Sequence, residues 1–450
     1  MDRNGAARTI AALASAPGRA AVGILRCSGP AAGTIAEALT GRALPPPREA
    51  RLRQARAADA SLIDEGLLLW FPSPGSYTGE PSFEFQAHGG RVLLDWLLQR
   101  VIELGAEPAR PGEFTERAFL NGRLDLAQAE GVAAVIEAAS RGALRAAQRS
   151  LQGEFSQALQ PLAEELLALR VFVEGALDFS DEDIDWLGAP ELHDRLQALA
   201  ASLQRLTEGA RLGRRLHEGL TVLIAGPPNA GKSTLLNRLA GSEVAIVSPE
   251  AGTTRDLLRE PLMLGDLPLT LVDSAGLRET GDPIEAEGMR RARQALQQAE
   301  LVLLISDARE PAPDPHTLLG AGAAERPVWL LRNKADLSGD APGWRGEPPQ
   351  LSLSAATGAG CEALIERLRA HAGLLAADEI PVYAARGRQL EALREAAGHL
   401  QQARAGLGLA PAEQVAEELR LAHDALGRVT GAVGSEDLLG AIFSRFCIGK

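Results

Sequence analysis

The 450-residue sequence has only three lysines and three cysteines, and it lacks any long apolar run. Its formal net charge is −13, so it also lacks the basic surplus with which many proteins bind nucleic acid over their whole surface. Any contact with RNA must therefore be local or shared with a partner. The apolar stretches are all shorter than the roughly 18 residues of a membrane span, and those near the N-terminus are too short for a signal-peptide core.

The three cysteines, Cys27, Cys361 and Cys447, lie far apart and lack the CxxC spacing of metal-binding ribbons. Their odd number argues against a disulfide framework and is typical of a protein in a reducing compartment. Hydrophobic residues make up 46% of the chain and charged residues 23%, which is an ordinary globular composition. We therefore expect a soluble, cytoplasmic protein of about three domains.

The N-terminal part of the chain mixes short apolar runs with Gly/Pro turns. Residues 22–25 and 66–71 are strand-like, because they combine apolar and β-branched or aromatic side chains between turn residues. Residues 91–104 carry apolar side chains at helical spacing. This mixture predicts an α+β domain.

Two later blocks, residues 124–216 and 386–447, are rich in Ala, Leu, Glu, Gln and Arg, and they predict long amphipathic helices. Between the blocks, four short apolar runs alternate with helical stretches, which is the pattern of a parallel α/β sheet. These runs are residues 220–225, 269–272, 301–305 and 328–331. Residues 311–315 and 339–349 are predicted to be exposed loops. Because similar helical blocks flank the α/β unit, we predict that it is inserted into one helical domain.

The sequence GPPNAGKS at residues 226–233 matches the phosphate-loop pattern GxxxxGK[ST], between a predicted strand and a predicted helix. Its glycines let backbone N–H groups converge on phosphate oxygens, and the N-terminus of the helix adds positive potential. Lys232 is predicted to reach the β- and γ-phosphates. The hydroxyl of Ser233 is predicted to bind Mg²⁺.

The sequence NKAD at residues 333–336 follows a predicted strand and identifies the base. An aspartate carboxylate accepts hydrogen bonds from both the N1–H and the 2-amino group of guanine, whereas adenine offers no such pair. The nucleotide is therefore predicted to be GTP or GDP. Ser354, Ala355 and Ala356 fit the loop that closes over the base.

Two further segments, GTTRD at residues 252–256 and DSAG at residues 273–276, fit the loops that sense the γ-phosphate. Asp273 would reach Mg²⁺ through water, and the backbone N–H of Gly276 would bind the γ-phosphate. Thr254 would be a second protein ligand of Mg²⁺. Leu277 directly follows Gly276, at the position where many GTPases have a glutamine that orients the attacking water. Another group must therefore position the water, and another positive charge must replace an arginine finger.

The predicted GTP-binding residues come from five segments of the chain. They are Asn229, Ala230, Gly231, Lys232, Ser233, Thr234, Ser248, Pro249, Glu250, Ala251, Gly252, Thr253, Thr254, Asp273, Ser274, Ala275, Gly276, Asn333, Lys334, Ala335, Asp336, Ser354, Ala355 and Ala356.

These motifs, with CIGK at residues 447–450, resemble those of the MnmE (TrmE) family of tRNA-modification GTPases. The similarity also covers motifs outside the nucleotide-binding region. They are VGILR at 22–26, YTGE at 77–80, HGG at 88–90, RPGEFTERAFLN at 110–121 and LDLAQAE at 124–130. The resemblance therefore covers essentially the whole chain, and all three lysines (Lys232, Lys334 and Lys450) lie in its motifs.

The resemblance implies an α/β and α+β multidomain fold with four segments. An α+β, folate-binding-like and dimer-forming domain would occupy residues 1–121. An α-helical domain would occupy residues 122–216 and 378–450. A P-loop GTPase domain of Ras-like α/β fold would be inserted into it at residues 217–377.

The resemblance also implies an activity. Members of the family are K⁺-activated GTPases in which hydrolysis is triggered when two G domains pair. With the FAD-dependent partner MnmG, they modify carbon 5 of the wobble uridine, position 34, of certain tRNAs by adding an aminomethyl or carboxymethylaminomethyl group. The one-carbon unit comes from a tetrahydrofolate derivative, 5-formyl- or 5,10-methylene-tetrahydrofolate. This chain is accordingly expected to be a cytoplasmic homodimer that acts on tRNA and has no membrane partner.

Two alternative functions remain open at this point. A GTP-regulated ribosome-assembly factor would have a similar G domain, but it would have no reason to carry the N-terminal motifs and CIGK. A metabolic folate enzyme with an appended regulator would need a complete acid–base set in the N-terminal domain, and we find no convincing one there. The HGG motif at residues 88–90 fits a tight turn as well as a ligand site.

Carried over from the family, Asn229 matches a K⁺ ligand, and Ser248, Glu250 and Thr253 fall in the loop that wraps the ion. A K⁺ ion at the phosphates would replace the arginine finger, because both place positive charge where negative charge develops. Glu285 matches the family's catalytic glutamate, which helps to position water. The expected catalytic set is therefore Glu285, Asn229 and the phosphate-loop lysine.

The folate site of the family maps onto Arg26, Glu84 and Arg123, together with the C-terminal Lys450. Cys447 could be a small buried hydrophobe. Its position in the CIGK tail, which the family directs to the folate site, favours a functional role.

Overall fold

The computed structural model describes residues 8–178, 190–241, 259–273, 299–315, 326–346, 349–374, 380–432, 442–443, 446 and 449. The chain divides into two compact units. One contains Met1–Ala133 and His423–Lys450, and the other contains Ala134–Ala422. The finer domain boundaries at residues 121, 216 and 377 stay a prediction. No described helix has both the length and the apolar character that a membrane span requires.

The first unit is built on a mostly antiparallel sheet. Its strands are β1 (Ile10–Leu13), β2 (Ala20–Ser28), β3 (Arg51–Arg56), β4 (Leu62–Phe71), β5 (Ser82–Gly89) and β6 (Glu107–Pro108). In the described part they lie in the order β3-β4-β5-β2-β1-β6, and β1 and β6 are parallel. The two strand-like runs predicted near the N-terminus are confirmed as parts of β2 and β4.

The first unit also contains helices. They are α1 (Ala32–Thr40), α2 (Arg91–Glu103), α3 (Glu113–Leu120) and α4 (Leu126–Glu137), of which α4 ends in the second unit. The helix predicted over residues 91–104 is confirmed as α2. Leu94, Leu97 and Val101 of α2 recur at helical spacing and are buried. They join Phe83 and Phe85 of β5 in one core, because alternate side chains of a strand point to the same face.

The second unit contains the predicted long helices and the α/β sheet. Its helices are α5 (Arg141–Leu151), α6 (Glu154–Asp178), α7 (Pro190–Glu218), α8 (Lys232–Ala240), α9 (Ala335–Ser338), α10 (Cys361–His371), α11 (Gly387–Gly406) and α12 (Ala412–Thr430), and α12 ends in the first unit. Helix α7 packs mainly against α11. Its Leu192, Leu196, Leu199 and Leu203 are buried at intervals of three or four residues, as expected for one face of an amphipathic helix.

A glycine lets α7 approach the segment that precedes α11. A Cβ atom at Gly213 would lie 1.8 Å from the backbone oxygen of Tyr383. The neighbouring Ala384 is held by α5, because its N–H donates to the carbonyl oxygen of Ala146 at 3.2 Å and its own oxygen accepts from Ser150 Oγ at 3.1 Å. The connection from the α/β sheet to α11 therefore runs between two helices that precede the sheet in sequence.

The α/β sheet confirms all four predicted apolar runs. Its strands are β7 (Leu220–Ala225), β8 (Arg259–Leu264), β9 (Leu267–Asp273), β10 (Leu301–Asp307), β11 (Val328–Asn333), β12 (Gly343–Arg345) and β13 (Gln350–Ser352). In the described part their order is β12-β13-β11-β10-β7-β9-β8. The five strands β9, β7, β10, β11 and β13 are parallel, and β8 and β12 are antiparallel edge strands.

One predicted loop is partly wrong. Residues 311–314 have neither helix nor strand, as predicted, but β12 lies within the predicted loop at residues 339–349. Its three residues form a strand because their backbone pairs with β13. The indole N–H of Trp344 also donates to the carbonyl oxygen of Ala363 at 3.0 Å, which fixes this edge strand to α10.

Candidate functional site

The phosphate loop connects β7, a central strand of the parallel sheet, to α8. The loop turns at two glycines whose Cβ positions are occupied by other groups. A Cβ at Gly226 would lie 2.1 Å from the oxygen of Ile305, and one at Gly231 would lie 2.1 Å from Nδ2 of Asn333. Both glycines have positive φ, and Asn229 between them is left-handed at φ 61°. This backbone leaves a cradle at the N-terminus of α8, where N–H groups and the helix dipole favour an anion.

The last two residues of the phosphate loop, Lys232 and Ser233, lie in the first turn of α8. Lys232 is the first residue of α8, and its Nζ donates to the carbonyl oxygens of Gly226 and Pro227 at 2.8 and 3.0 Å. Ser233 and Thr234 follow in the first turn and are exposed. A hydroxyl at this position is the ligand type that Mg²⁺ accepts. The loop therefore fits a nucleotide phosphate chain with its metal.

Asn333, the last residue of β11, joins the phosphate loop to the loop that is predicted to close over the base. Its Nδ2 donates to the carbonyl oxygen of Ala230 at 2.8 Å, and its Oδ1 accepts from the N–H of Ala355 at 2.9 Å. Asn333 is only 3% exposed. The structure thus brings three separate predicted segments together at the carboxyl ends of β7, β11 and β13.

The rest of the NKAD motif turns sharply after Asn333. Lys334 is left-handed at φ 66°, and its Nζ lies 2.9 Å from Oδ2 of Asp307 at the end of β10. Arg309 also binds this carboxylate, with Nε 3.0 Å from Oδ1 and Nη2 2.7 Å from Oδ2. The hydrogen bonds from Arg309, and then the ammonium of Lys334, hold the pKa of Asp307 well below its usual range. Asp336 is exposed beside this network, as a residue that reads a base must be.

Arg238 is a site residue that the sequence analysis missed. It projects from α8, and its Nε donates to the carbonyl oxygen of Ala355 at 3.1 Å, while Nη2 donates to the oxygen of Ala356. Two side chains therefore hold the base loop: Asn333 at the end of β11, and Arg238 of α8. No local pattern marks Arg238, because its partner lies 117 residues later in the sequence.

Part of the predicted nucleotide site falls outside the residues that the structure describes. Asp273 ends β9, as predicted from the apolar run before it. The predicted residues that lie outside are Ser248, Pro249, Glu250, Ala251, Gly252, Thr253, Thr254, Ser274, Ala275, Gly276 and Glu285. In the C-terminal tail, Cys447 and Lys450 also lie outside.

In the first unit, the structure pairs two of the predicted folate residues. Arg26 of β2 and Glu84 of β5 are cross-strand neighbours, with Nε of Arg26 2.9 Å from Oε1 of Glu84. Nη1 of Arg26 also donates to the backbone oxygen of Gly449 at 3.2 Å. Its guanidinium carbon lies 5.7 Å from the ring centre of Tyr77 and 5.8 Å from that of Phe114. The result is a partly exposed, aromatic-lined guanidinium beside a carboxylate and the C-terminal tail.

Arg123 reaches the same region through the loop that carries Tyr77. A Cβ at Gly79 would lie 3.3 Å from Cγ of Arg123, and Asn121 Nδ2 donates to the carbonyl oxygen of Thr78 at 2.8 Å. Arg123 itself is exposed. The structure therefore places Arg123 against the loop, and it places Arg26 and Glu84 in direct contact.

A buried ionic cluster supports this loop and was not predicted from the sequence. Arg117 of α3 binds Oε2 of Glu80 at 3.1 Å and Oε1 of Glu113 at 2.9 Å, and side chains of all three are at most 14% exposed. Burial raises the pKa of Glu113, but the N–H of Arg110 and the guanidinium of Arg117 outweigh it and leave the pKa lowered. Buried charges of this kind are tolerated only when they are paired.

The HGG motif ends β5. Asp64 accepts from the backbone N–H of His88 at 2.8 Å, and its other oxygen lies 2.9 Å from Nδ1 of the same residue. The His88 side chain is 76% exposed. Within the described residues, no group of three His, Cys, Asp or Glu side chains is arranged to hold a metal ion. The motif therefore forms the end of a strand, which Asp64 holds through its hydrogen bonds with His88.

A parallel sheet with a phosphate loop after a central strand, and an NKAD motif at the end of another strand, defines a P-loop GTPase. The family model for the MnmE helical domain matches residues 126–447, and the model for the GTP-binding protein TrmE N-terminus matches residues 9–123. The chain belongs to the MnmE (TrmE) family of tRNA modification GTPases, and it is a GTP hydrolase.

Curated relatives match along nearly their whole length. The tRNA modification GTPase MnmE of Alkalilimnicola ehrlichii is 51% identical over 445 residues, which cover 98% of this chain and 99% of that protein. The protein of the same name from Pseudomonas syringae pv. tomato is 50% identical over 452 residues, with the same coverage. The protein from Stutzerimonas stutzeri is 51% identical over 451 residues, again with that coverage.

Proposed function

We propose that this chain is a K⁺-activated GTPase that works with an FAD-dependent partner, MnmG, on tRNA in the cytoplasm. The pair modifies carbon 5 of the wobble uridine, position 34, by adding an aminomethyl or carboxymethylaminomethyl group. The one-carbon unit comes from a tetrahydrofolate derivative, 5-formyl- or 5,10-methylene-tetrahydrofolate. The chain acts as a homodimer, and pairing of two G domains triggers hydrolysis of GTP.

In the proposed nucleotide site, Ser233 and Thr254 hold Mg²⁺, and Lys232 neutralises the phosphates. Asn229, with the loop that contains Ser248, Glu250 and Thr253, holds K⁺. When bound, K⁺ supplies positive charge where negative charge develops in the transition state. The exposure of Asn229 in the loop before α8 supports this assignment, since its amide oxygen is a ligand that suits a hard cation.

The remaining roles concern the attacking water and the base. Leu277 occupies the position at which many GTPases have a glutamine, so another group must orient the attacking water. We assign this role to Glu285. Asn333, Lys334 and Asp336 select guanine, and the loop of Ser354, Ala355 and Ala356 closes over the base.

The observation that carries the proposal beyond GTP hydrolysis is the meeting of Arg26, Glu84 and tail residue Gly449 in the first unit. A guanidinium beside aromatic rings is suited to planar heterocycles and to carboxylates, and a folate contains both. Arg123 and Lys450 are assigned to the same ligand. Cys447, two residues before Gly449 in the sequence, is assigned a functional role beside this ligand.

The proposal is tested by GTP turnover in KCl and in NaCl at equal ionic strength. We expect much faster turnover in KCl, and Glu285→Ala should keep nucleotide binding while losing this activity. Glu366→Ala, an exposed glutamate of α10, is the matched control and should turn over like the wild type. Equal rates in the two salts would exclude K⁺ as the activating charge.

The folate arm is tested separately by thermal unfolding. A ligand at one hundred times its Kd stabilises the folded state by about 2.7 kcal/mol, so 5-formyl-tetrahydrofolate should raise the Tm. The shift should disappear in Arg26→Gln and remain in Arg42→Gln, which changes an exposed arginine. A wild-type protein whose Tm does not move at millimolar ligand would refute the folate assignment alone.

A further inference from the structure

Four arginines line one concave pocket of the second unit, away from the residues assigned above. Arg211, Arg214 and Arg215 belong to the last part of α7, and Arg394 projects from α11. The pocket has a volume of ≈ 390 Å³. Two glutamates, the backbone of one glycine and one leucine complete its lining: Glu218, Gly219, Glu300 and Leu390.

Only two of the four guanidinium groups are neutralised in the pocket. Nε of Arg214 lies 2.6 Å from Oε2 of Glu218, and Arg215 pairs with Glu300. Within the described residues, neither Arg211 nor Arg394 has a carboxylate in ion-pair range, and both are exposed. The pocket therefore carries a surplus of about two positive charges on a chain whose net charge is −13.

The dipole of α7 does not account for this cluster. Basic residues are favoured in the last turn of a helix, which explains Arg215. Arg211 lies about two turns before Glu218, where the effect of the dipole has faded. Arg394 comes from the interior of another helix, α11. Gathering like charges costs free energy unless an anion binds between them, and the planar fork of arginine is suited to phosphate.

The pocket is separate from the nucleotide site. Gly219 directly precedes β7 and Glu300 directly precedes β10, so the pocket lies at the amino ends of these parallel strands. The phosphate loop follows the carboxyl end of β7. Since β7 has six residues at about 3.3 Å each, the two places are roughly 20 Å apart. A phosphate in this pocket therefore cannot belong to the bound GTP.

We propose that this arginine pocket binds phosphate groups of an RNA backbone. The two unneutralised guanidiniums come from different helices and are exposed, which suits successive phosphates of a chain better than one enclosed anion. On so acidic a protein, RNA requires a local basic site of this kind. The proposal rests on the proposed function, because it names where the tRNA substrate is held.

The test measures binding of fluorescently labelled, unfractionated bacterial tRNA to the full-length chain by anisotropy, at several KCl concentrations. The test variant is Arg211→Gln with Arg394→Gln. The control is Arg42→Gln with Arg91→Gln, a pair of exposed arginines in the first unit. Both double variants lose the same charge, so a difference between them reports position and not net charge.

We expect the test variant to bind tRNA about tenfold more weakly and to show a salt slope reduced by about 1.4 to 2, while the control binds like the wild type. GTP turnover in KCl should be unchanged in both. Equal binding by the wild type, the control and the test variant would refute the assignment of this pocket as an RNA site and leave the proposed function standing.

A second arm uses inorganic phosphate and the Tm, at constant ionic strength, to separate a small anion from RNA. If the wild type binds no tRNA at any salt concentration, this assignment fails, whereas the proposed function stands, because the partner can hold the tRNA. A Tm shift with phosphate that is lost in the test variant, without tRNA binding, would show that the pocket takes a small phosphate and overturn RNA as its ligand. A phosphate shift together with arginine-dependent tRNA binding supports the proposal.

Discussion

Replacing Asn333 with alanine tests the link between the phosphate loop and the base loop. The side chain donates to Ala230 O at 2.8 Å and accepts from Ala355 N at 2.9 Å. Ala230 is 2% exposed and Ala355 is 1% exposed, so water does not reach the two groups while the loops keep this arrangement. Asn333→Ala therefore leaves one backbone carbonyl and one backbone N–H buried without this side chain.

The size of the effect follows from these two hydrogen bonds. Leaving a buried polar group unsatisfied costs about 1–3 kcal/mol, so two such groups cost about 2–6 kcal/mol in total. In the free variant, the loops can relax and hydrate the two groups. Binding of nucleotide must then restore the ordered loops and bury the groups again. We therefore expect most of the cost to fall on binding, as a Kd for GDP that is about 30-fold to 1,000-fold weaker.

The assay is titration with a fluorescent GDP analogue, with urea unfolding of the free protein alongside it. Asn333→Asp keeps the acceptor but places a carboxylate oxygen against the oxygen of Ala230, so it should bind at least as weakly as Asn333→Ala. Asn237→Ala, an exposed asparagine of α8, should change neither measurement by more than about 0.5 kcal/mol. A Kd for Asn333→Ala within threefold of the wild type would refute the reasoning.

Three further predictions concern stability and reactivity. Gly213→Ala should lower the free energy of unfolding in urea by about 1–3 kcal/mol, because its Cβ would meet a backbone oxygen at 1.8 Å, whereas Gly398→Ala, with open space around it, should be neutral or stabilising. The lowered pKa of Asp307 contributes stability above its ordinary carboxyl pKa of 3.8, so the advantage of the wild type over Asp307→Asn should shrink as the pH falls below that value. Burial raises the pKa of Cys27 to about 12 and also raises that of Cys361, so peptide mapping should find both unlabelled by iodoacetamide at pH 8 until urea is added.

The parts of the fold that the sequence predicts are those that depend on local pattern. The run at residues 220–225 is bounded by glycines and is apolar except for Thr221, and it becomes a strand buried on both sides of the sheet. The helix predicted over 91–104 has one apolar face, and that face is buried. In contrast, the edge strand at 343–345 has three residues and no alternation, so only its pairing with β13 makes it a strand.

The candidate site shows the same difference between local sequence motifs, which are predicted, and contacts with distant residues, which are not. The phosphate loop and the NKAD motif are predicted because each is a short sequence with a fixed backbone role. Arg238 is missed because its partners are backbone carbonyls 117 and 118 residues later, and these leave no trace in the side-chain pattern. Asp307 is missed because Lys334, which joins it to the NKAD motif, lies 27 residues away. The same holds for Arg394, which shares a pocket with the end of α7 only in the folded chain.

The two lysines that the structure describes, Lys232 and Lys334, each bind oxygen acceptors through a single nitrogen. The single Nζ of Lys232 donates to two consecutive carbonyl oxygens of one glycine-rich turn, which a planar guanidinium would contact through two separate nitrogens. Asp307 shows both cations on one carboxylate: Arg309 takes its two oxygens as a fork, and Lys334 takes only Oδ2. Arginine serves equally well where two acceptors lie side by side, as the consecutive carbonyls bound by Arg238 show. The two described lysines are therefore positions at which the shape of the cation, and not its charge alone, fits the nucleotide loops.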